Sequence, residues 1–261
     1  MSRHLTILES VDSTNNYAMA RVRTGLAKHG DAFFAMTQLN GKGQRGKHWL
    51  TEPGTNIIIT LVLRPNGLKL QQQFRLNLAV ALAIHDFFAL YAGEETSIKW
   101  PNDIYWRDRK AGGILIENII GMDRGAETRQ GTPEGENHEP LTDGWQWSVV
   151  GTGININQTV FPEQIRNAVS LKQITGKDWD IIELAELLCG YVLERYNQMV
   201  AGKDLLPQYN LHLYKKDQVV VFKKDNLVFE GIVKEVNALG QLLVLTTLEE
   251  HFNFGEIEWV V

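Results

Sequence analysis

A single cysteine, Cys189, in 261 residues excludes an internal disulfide framework and fits a reducing compartment. It falls on the apolar face of a predicted helix, where a thiol behaves as a small buried hydrophobe. Positive charge is not in excess: 26 Lys and Arg against 31 Asp and Glu leave a net charge of −5, which argues against a general nucleic-acid binder. The opening residues M-S-R-H-L-T-I-L-E-S lack the apolar core of a secretory signal. No uninterrupted apolar run approaches the roughly 20 residues that span a bilayer. A cytoplasmic protein with no membrane partner is the expectation. G-x-S-x-G, H-E-x-x-H and C-x-x-C are also missing, and seven histidines are scattered without ligand spacing. A reaction run by positioning and charge neutralisation fits this inventory better than a nucleophile triad.

The remaining composition, 44% hydrophobic and 22% charged, is that of a globular chain long enough to bury a sizeable core. Period-2 and β-branched runs predict strands over 5–8, 32–38, 56–63, 97–100, 104–106, 113–118 and 145–150. Helical spacing predicts helices from about Asp12 to Arg23, from Gln73 to Tyr91, and from Trp179 to Val200. The polar, Gly- and Glu-rich stretch from Gly121 to Gly144 reads as a long, disordered, exposed loop. Near Leu211 the pattern changes. From Gln218 onward short apolar runs alternate with K-K-D-N and N-A-L-G turns, predicting a small all-β unit, a barrel, of about 50 residues. The boundary is placed at 210/211.

Four polar clusters lie at element ends. Gln38 to Trp49 reads Q-L-N-G-K-G-Q-R-G-K-H-W. Its G-x-G-x-x-G near-match fails because a Pro–Gly turn follows it and no acid stands about 20 residues on. Its G-x-x-x-x-G-K-[ST] near-match fails because His48 stands where a metal-binding hydroxyl is needed. An anion cradle and a solvated basic hairpin both remain open. Ser13-Thr14-Asn15 is either a helix cap or a set of groups for a polar ligand. Lys99-Trp100-Pro101-Asn102-Asp103, followed by Lys110-Ala111-Gly112-Gly113, is either a charged turn or a ligand site that glycines let the backbone approach closely. Asp103 could hold Mg²⁺ there. Gly151-Thr152-Gly153-Ile154-Asn155 offers backbone beside a ligand or a plain bulged strand end.

In this order the clusters resemble biotin protein ligases. That family carries S-T-N, G-R-G-R-x-G-R-x-W, K-W-P-N-D, K-x-x-G-I-L-x-E and G-x-G-I-N-x-N, and the counterparts here are Ser13–Asn15, Gly41–Trp49, Lys99–Asp103, Lys110–Glu117 and Gly151–Asn157. The resemblance covers essentially the whole chain. It implies an α+β fold: a mixed β-sheet catalytic domain with helices on one side over residues 1–210, and a C-terminal SH3-like β-barrel over 211–261. It implies that biotin and ATP form biotinyl-5′-AMP, with Mg²⁺, and that biotin then passes to a lysine of the carrier domain of a biotin-dependent carboxylase. By resemblance, Lys110 contacts the biotin carboxyl and α-phosphate. Asp103 binds Mg²⁺ or steers the incoming lysine. Ser13, Thr14, Asn15, Gln38, Gly41, Lys42, Gly43, Gln44, Gly112, Gly113, Gly151 and Gly153 surround biotin. Lys42, Gln44, Arg45, Lys47, Trp49, Asn102 and Asn155 serve the nucleotide. Lys42, Gln44 and Lys47 replace arginines found in many relatives, losing bidentate forks and, at Gln44, a charge. About a dozen residues precede Ser13, so a monofunctional ligase without a DNA-binding domain is expected, as a monomer or a homodimer.

Overall fold

The computed structural model describes residues 5–121 and 144–260; the expected loop over 121–144 lies almost wholly outside these residues. Strand β1 (Leu5–Val11) leads into α1 (Thr14–Arg23), β2 (Ala32–Gln38), β3 (Ile57–Leu63), α2 (Gln73–Ala92), β4 (Thr96–Lys99), β5 (Asp103–Trp106), β6 (Arg109–Ile120) and β7 (Trp145–Ile154). Helices α3 (Leu171–Thr175), α4 (Ile181–Val200) and α5 (Leu206–Leu211) follow. Five short strands close the chain: β8 (Val219–Lys224), β9 (Leu227–Val236), β10 (Leu242–Leu245), β11 (Glu249–Phe252) and β12 (Glu258–Val260). The strands and long helices fall where periodicity predicts them. Two short helices, α3 and α5, escape it because neither is long enough to display a helical period.

The first seven strands form one mixed sheet in the order β1-β2-β3-β7-β6-β5-β4, in which only β1 and β2 run parallel. Every residue of β3 is buried, as befits a strand covered on both faces. Alternation sorts its side chains. Ile57, Ile59, Leu61 and Leu63 join the main core with α2 and α4, whereas Val62 joins Ala18 and Val22 of α1 together with Phe33 and Val149. Each such aliphatic side chain contributes about 1.5–3 kcal/mol by leaving water. The expected mixed sheet is therefore present, but the helices are not all on one side, because α1 covers the face opposite α2 and α4.

The stretch Leu70–Ala92, which includes α2, is long and apolar enough by length and composition to cross a membrane, although Arg75, Asn77, His85 and Asp86 interrupt it as a run. Here it is the core helix. Its apolar residues pack against the sheet and α4, and Arg75 reaches the Met199 carbonyl at 3.0 Å.

The last five strands form an antiparallel sheet in the order β11-β10-β9-β8-β12, the final strand returning to the free edge of the first. Among the described residues no ladder joins the edge strands β11 and β12, so the expected barrel is an open sheet. Hydrogen bonds tie it to the rest of the chain: Asn210 exchanges two with Val236, and Trp100 Nε1 donates to the Gly240 carbonyl at 2.9 Å.

Candidate functional site

The site occupies the sheet face that α1 shares, on a floor made by β6 and β7. Gly113 lies directly opposite Gly153, and Leu115 opposite Gly151. Facing glycines leave that floor bare of side chains, which lets other groups approach the backbone. The indole of Trp49 takes this space: a Cβ on Gly153 would sit 2.3 Å from its ring, and one on Gly113 3.2 Å. A Cβ on Gly151 would sit 2.2 Å from Asn15 Oδ1. The strands thus run through glycines that the sequence reading takes as strand ends.

A cavity with about 50 Å³ of free space lies above the floor, lined by Ser13, Thr14, Asn15, Gln38, Lys42, Gly43, Gln44, Lys110 and the floor glycines, with Asn102 and Asp103. Ser13 stands at the N-cap position of α1, but its side chain makes no capping bond and borders the cavity. Thr14 donates its backbone N–H to Gln38 Oε1 at 2.7 Å, and its hydroxyl lies 3.0 Å from the same oxygen. Asn15 reaches Glu117 at 2.7 Å and Thr60 at 2.7 Å. Thr60, fully buried in the centre of β3, is a functional residue missed from sequence; its signal is the lone hydroxyl in the run I-I-I-T-L-V-L.

The Gly-rich segment is a small hairpin that folds over the cavity, which reconciles its two open readings. Gly43 N–H donates to Lys47 O at 2.7 Å and Trp49 N–H to Gly41 O at 2.8 Å, around a turn at Gln44–Gly46. Gln44 Nε2 reaches across to the Ile114 carbonyl at 3.2 Å, and Lys42 Nζ donates to Asn16 Oδ1 at 2.5 Å. Gln44 Oε1 and Trp49 Nε1 are buried without a hydrogen-bond partner, a costly arrangement that a bound polar ligand would relieve.

A second, wider cleft of about 510 Å³ adjoins the first and shares Gly43, Gln44, Trp49, Asn102, Asp103 and Lys110 with it. Arg45, Lys47, Lys99 and Asn155 line it on one side, and Phe254, Gly255 and Trp259 from the C-terminal sheet on the other. At the seam Lys110 Nζ pairs with Asp103 Oδ1 at 2.6 Å, half-buried, beside the Trp49 ring. Lys99 is buried in a box of Tyr105, Tyr214 and Trp259 rings. Burial pulls its ammonium down to about 8, against the raising effect of Asp103.

Two glycines assigned to the first cavity stand apart from it. Gly41 lines a neighbouring pocket and packs against Trp49 O and Gln38, and Gly112 packs against the Gly153 carbonyl. Lys42 faces the first cavity rather than the wide cleft. The amides of Asn102 and Asn155 are committed to main-chain carbonyls, of Ile114 at 2.7 Å and of Lys110 and Val169 at 3.3 Å, so they brace the strand that carries Lys110. For Mg²⁺ the donor set is thin. No group of three His, Cys, Asp or Glu residues converges among the described residues, and one Asp103 oxygen is already held by Lys110. This fits only an ion carried in on phosphate oxygens, which needs one or two carboxylates.

A mixed sheet with helices on both faces, a glycine floor, a hairpin cover and a lysine–carboxylate pair between two adjoining cavities together define the α+β domain. Residues 7–127 match the biotin/lipoate A/B protein ligase family. It is 31% identical over 183 residues to the bifunctional ligase/repressor BirA of Bacillus spizizenii, covering 69% of this chain and 50% of that protein. It is 39% identical over 115 residues to the biotin–[acetyl-CoA-carboxylase] ligase of Paracoccus denitrificans, covering 43% of this chain and 46% of that protein. The chain spans about half the length of these curated relatives. In three dimensions it resembles the biotin protein ligase of Aquifex aeolicus solved with biotin and ATP, with a TM-score of 0.76 over 99% of both chains at 24% identity. That likeness establishes the fold.

Proposed function

We propose that this protein is an ATP-dependent ligase that activates biotin as biotinyl-5′-AMP and transfers it to a lysine of a biotin carboxyl carrier domain. The observation that carries this reading is the Lys110–Asp103 pair on the wall shared by the two cavities. Biotin in the smaller cavity would present its carboxylate there to the α-phosphorus of ATP in the cleft. An O–P bond forms, the bond from the α-phosphorus to the bridging oxygen breaks, and pyrophosphate leaves with the electron pair. Lys110 stabilises the negative charge gathering between carboxylate and phosphate. In the second step the carrier amine attacks the acyl carbon, loses a proton, and AMP departs. Asp103 is the carboxylate placed to steer that amine. Mg²⁺ would arrive on the nucleotide's phosphates, with Asp103 as its one protein carboxylate, and would neutralise phosphate charge when bound.

Ser13, Thr14, Asn15, Gln38, Gly43, Gln44, Gly113, Gly151 and Gly153 form the biotin pocket in this reading. Arg45, Lys47 and Trp49 belong to the cover that retains the adenylate. Residues 1–210 act as the catalytic unit and 211–261 as an SH3-like unit walling the nucleotide cleft, in a cytoplasmic monomer or homodimer. Incubation with ATP and either biotin or lipoate, followed by mass analysis of the adenylate, tests the assignment. Biotinyl-5′-AMP is the expected product; lipoyl-AMP alone would transfer the protein to the other branch of its family.

A further inference from the structure

Glu117, on β6 at the rim of the α1 contact, belongs to none of the roles above. We infer that it is a positioning residue for the reaction: its carboxylate sets the direction of a hydrogen-bond chain that leaves Thr14 as an acceptor for an N–H donor of the ligand. The inference rests on the reading that the smaller cavity holds biotin, whose cyclic urea offers two such donors.

The chain runs through three residues that are almost wholly excluded from solvent: Asn15, Thr60 and Thr14. Asn15 Nδ2 donates to Glu117 Oε2 at 2.7 Å and, over a longer distance, to the Leu115 carbonyl at 3.4 Å. A carboxylate only accepts, so the Asn15 amide has one orientation and Oδ1 must face Thr60. Oδ1 in turn only accepts, so the single hydroxyl proton of Thr60 is directed to it at 2.7 Å. Thr60 Oγ1 also lies 2.8 Å from Thr14 Oγ1, and Thr14 Oγ1 lies 3.0 Å from Gln38 Oε1. Three oxygen–oxygen contacts therefore share two hydroxyl protons. Thr60 has already given its proton to Asn15, so Thr14 must give its own to Thr60 or to Gln38. In either case Thr14 keeps lone pairs for a donor from outside. The Thr14 backbone N–H fixes Gln38 in the same way, with Oε1 turned toward Thr14.

With little water near the chain, the negative charge at its far end strengthens each link in turn and makes Thr14 a better acceptor. The fold holds this arrangement from a second side. Gly151 stands where any Cβ would sit 2.2 Å from Asn15 Oδ1, so the floor is kept open for that amide. Replacing Glu117 by glutamine removes the charge and leaves only the longer contact to the Leu115 carbonyl to hold the amide one way round. Asn15 can then turn, Thr60 can donate to Thr14, and one acceptor position is lost.

The test is a double-mutant cycle on Glu117→Gln and Thr60→Val, read as KM for biotin, KM for ATP, kcat and melting temperature. Glu117→Gln is expected to raise KM for biotin about tenfold, the scale of a hydrogen bond to a charged group, with kcat and KM for ATP unchanged. The double variant should be no worse than the worse single variant, because both act through one chain. A KM for biotin within twofold of wild type in Glu117→Gln, or losses that multiply in the double variant, would overturn the inference. A purely structural role would lower the melting temperature and leave KM for biotin in place. Should Glu117→Gln fail to fold, the cycle with Glu117→Asp reads the same coupling. If the wild-type protein itself forms no adenylate from biotin, the ligase reading fails; if it does and Glu117→Gln matches it, only this inference fails.

Discussion

The two cavities differ in how far their polar groups are already engaged. In the smaller one a cluster is paired, Thr14 with Gln38 and Asn15 with Glu117 and Thr60, while the buried Thr152 Oγ1, Gln44 Oε1 and Trp49 Nε1 around it have no hydrogen-bond partner among the described residues. In the cleft Arg45 and Lys47 are exposed, and the Lys99 ammonium is held among aromatic rings. In the proposed reaction the paired cluster would recognise biotin with its hydrogen bonds already directed, and the cleft would meet the negative charge of the nucleotide. Recognition and charge neutralisation would then be divided between neighbouring walls that share Lys110 and Asp103.

Substitutions can break that division, the largest effect first. Lys110→Ala should lower biotin-dependent pyrophosphate release about 10³-fold, the scale of losing a group aimed at transition-state charge, while biotin still binds by equilibrium dialysis. Release near the wild-type rate would remove Lys110 from the chemistry. Gly153→Ala places a methyl 2.3 Å from the Trp49 ring and should displace the cover. Its expected signature is a rise of roughly tenfold or more in KM for biotin, from lost alignment of the cover, together with altered tryptophan fluorescence; wild-type values for both would show that the indole does not need the floor. Gln44→Arg restores a charge over the adenylate and should slow its escape several-fold in a filter-binding chase, by about the factor one charge-assisted contact supplies. An unchanged escape rate would place Gln44 outside the retention step.

The smallest effect concerns Lys99. Its ammonium loses a proton near pH 8 in the folded chain and near 10.5 when unfolded, so between those values the unfolded state holds more protons. Stability contributed by this group therefore rises as pH climbs from about 8 to 10.5. Lys99→Met should lose that dependence: urea midpoints of wild type relative to the variant should shift in favour of wild type across this window. A constant difference would mean that Lys99 is not desolvated.

Much of this division was legible in the chain. The order S-T-N, Gly-rich loop, K-W-P-N-D, Lys110 and G-T-G-I-N pointed to one site, and the sheet does bring these motifs together, although Lys110 and the glycines of G-T-G-I-N lie within β6 and β7 rather than at element ends. Other parts depend on contacts that no local pattern encodes. Thr60 sits in a strand that reads as uniformly apolar, and its partners are 45 and 46 residues away. The motif including Glu117 could be read, but not that its carboxylate turns toward Asn15, 102 residues earlier. α1 is the crossover between the parallel strands β1 and β2, and the face such a crossover covers is set by its handedness in the assembled sheet. The resemblance implies that Asn102 and Asn155 lie near the nucleotide, and both line the wide cleft; that their amides also hold main-chain carbonyls emerges only when β6 is in place.

The most direct measurement is pyrophosphate release by the wild-type protein on addition of biotin to a mixture with ATP and Mg²⁺. A burst close to one equivalent per site, followed by slow turnover until a carrier domain is supplied, is the expected result. Biotin binding with no pyrophosphate released at any ATP concentration would contradict it and leave a protein that senses biotin without activating it.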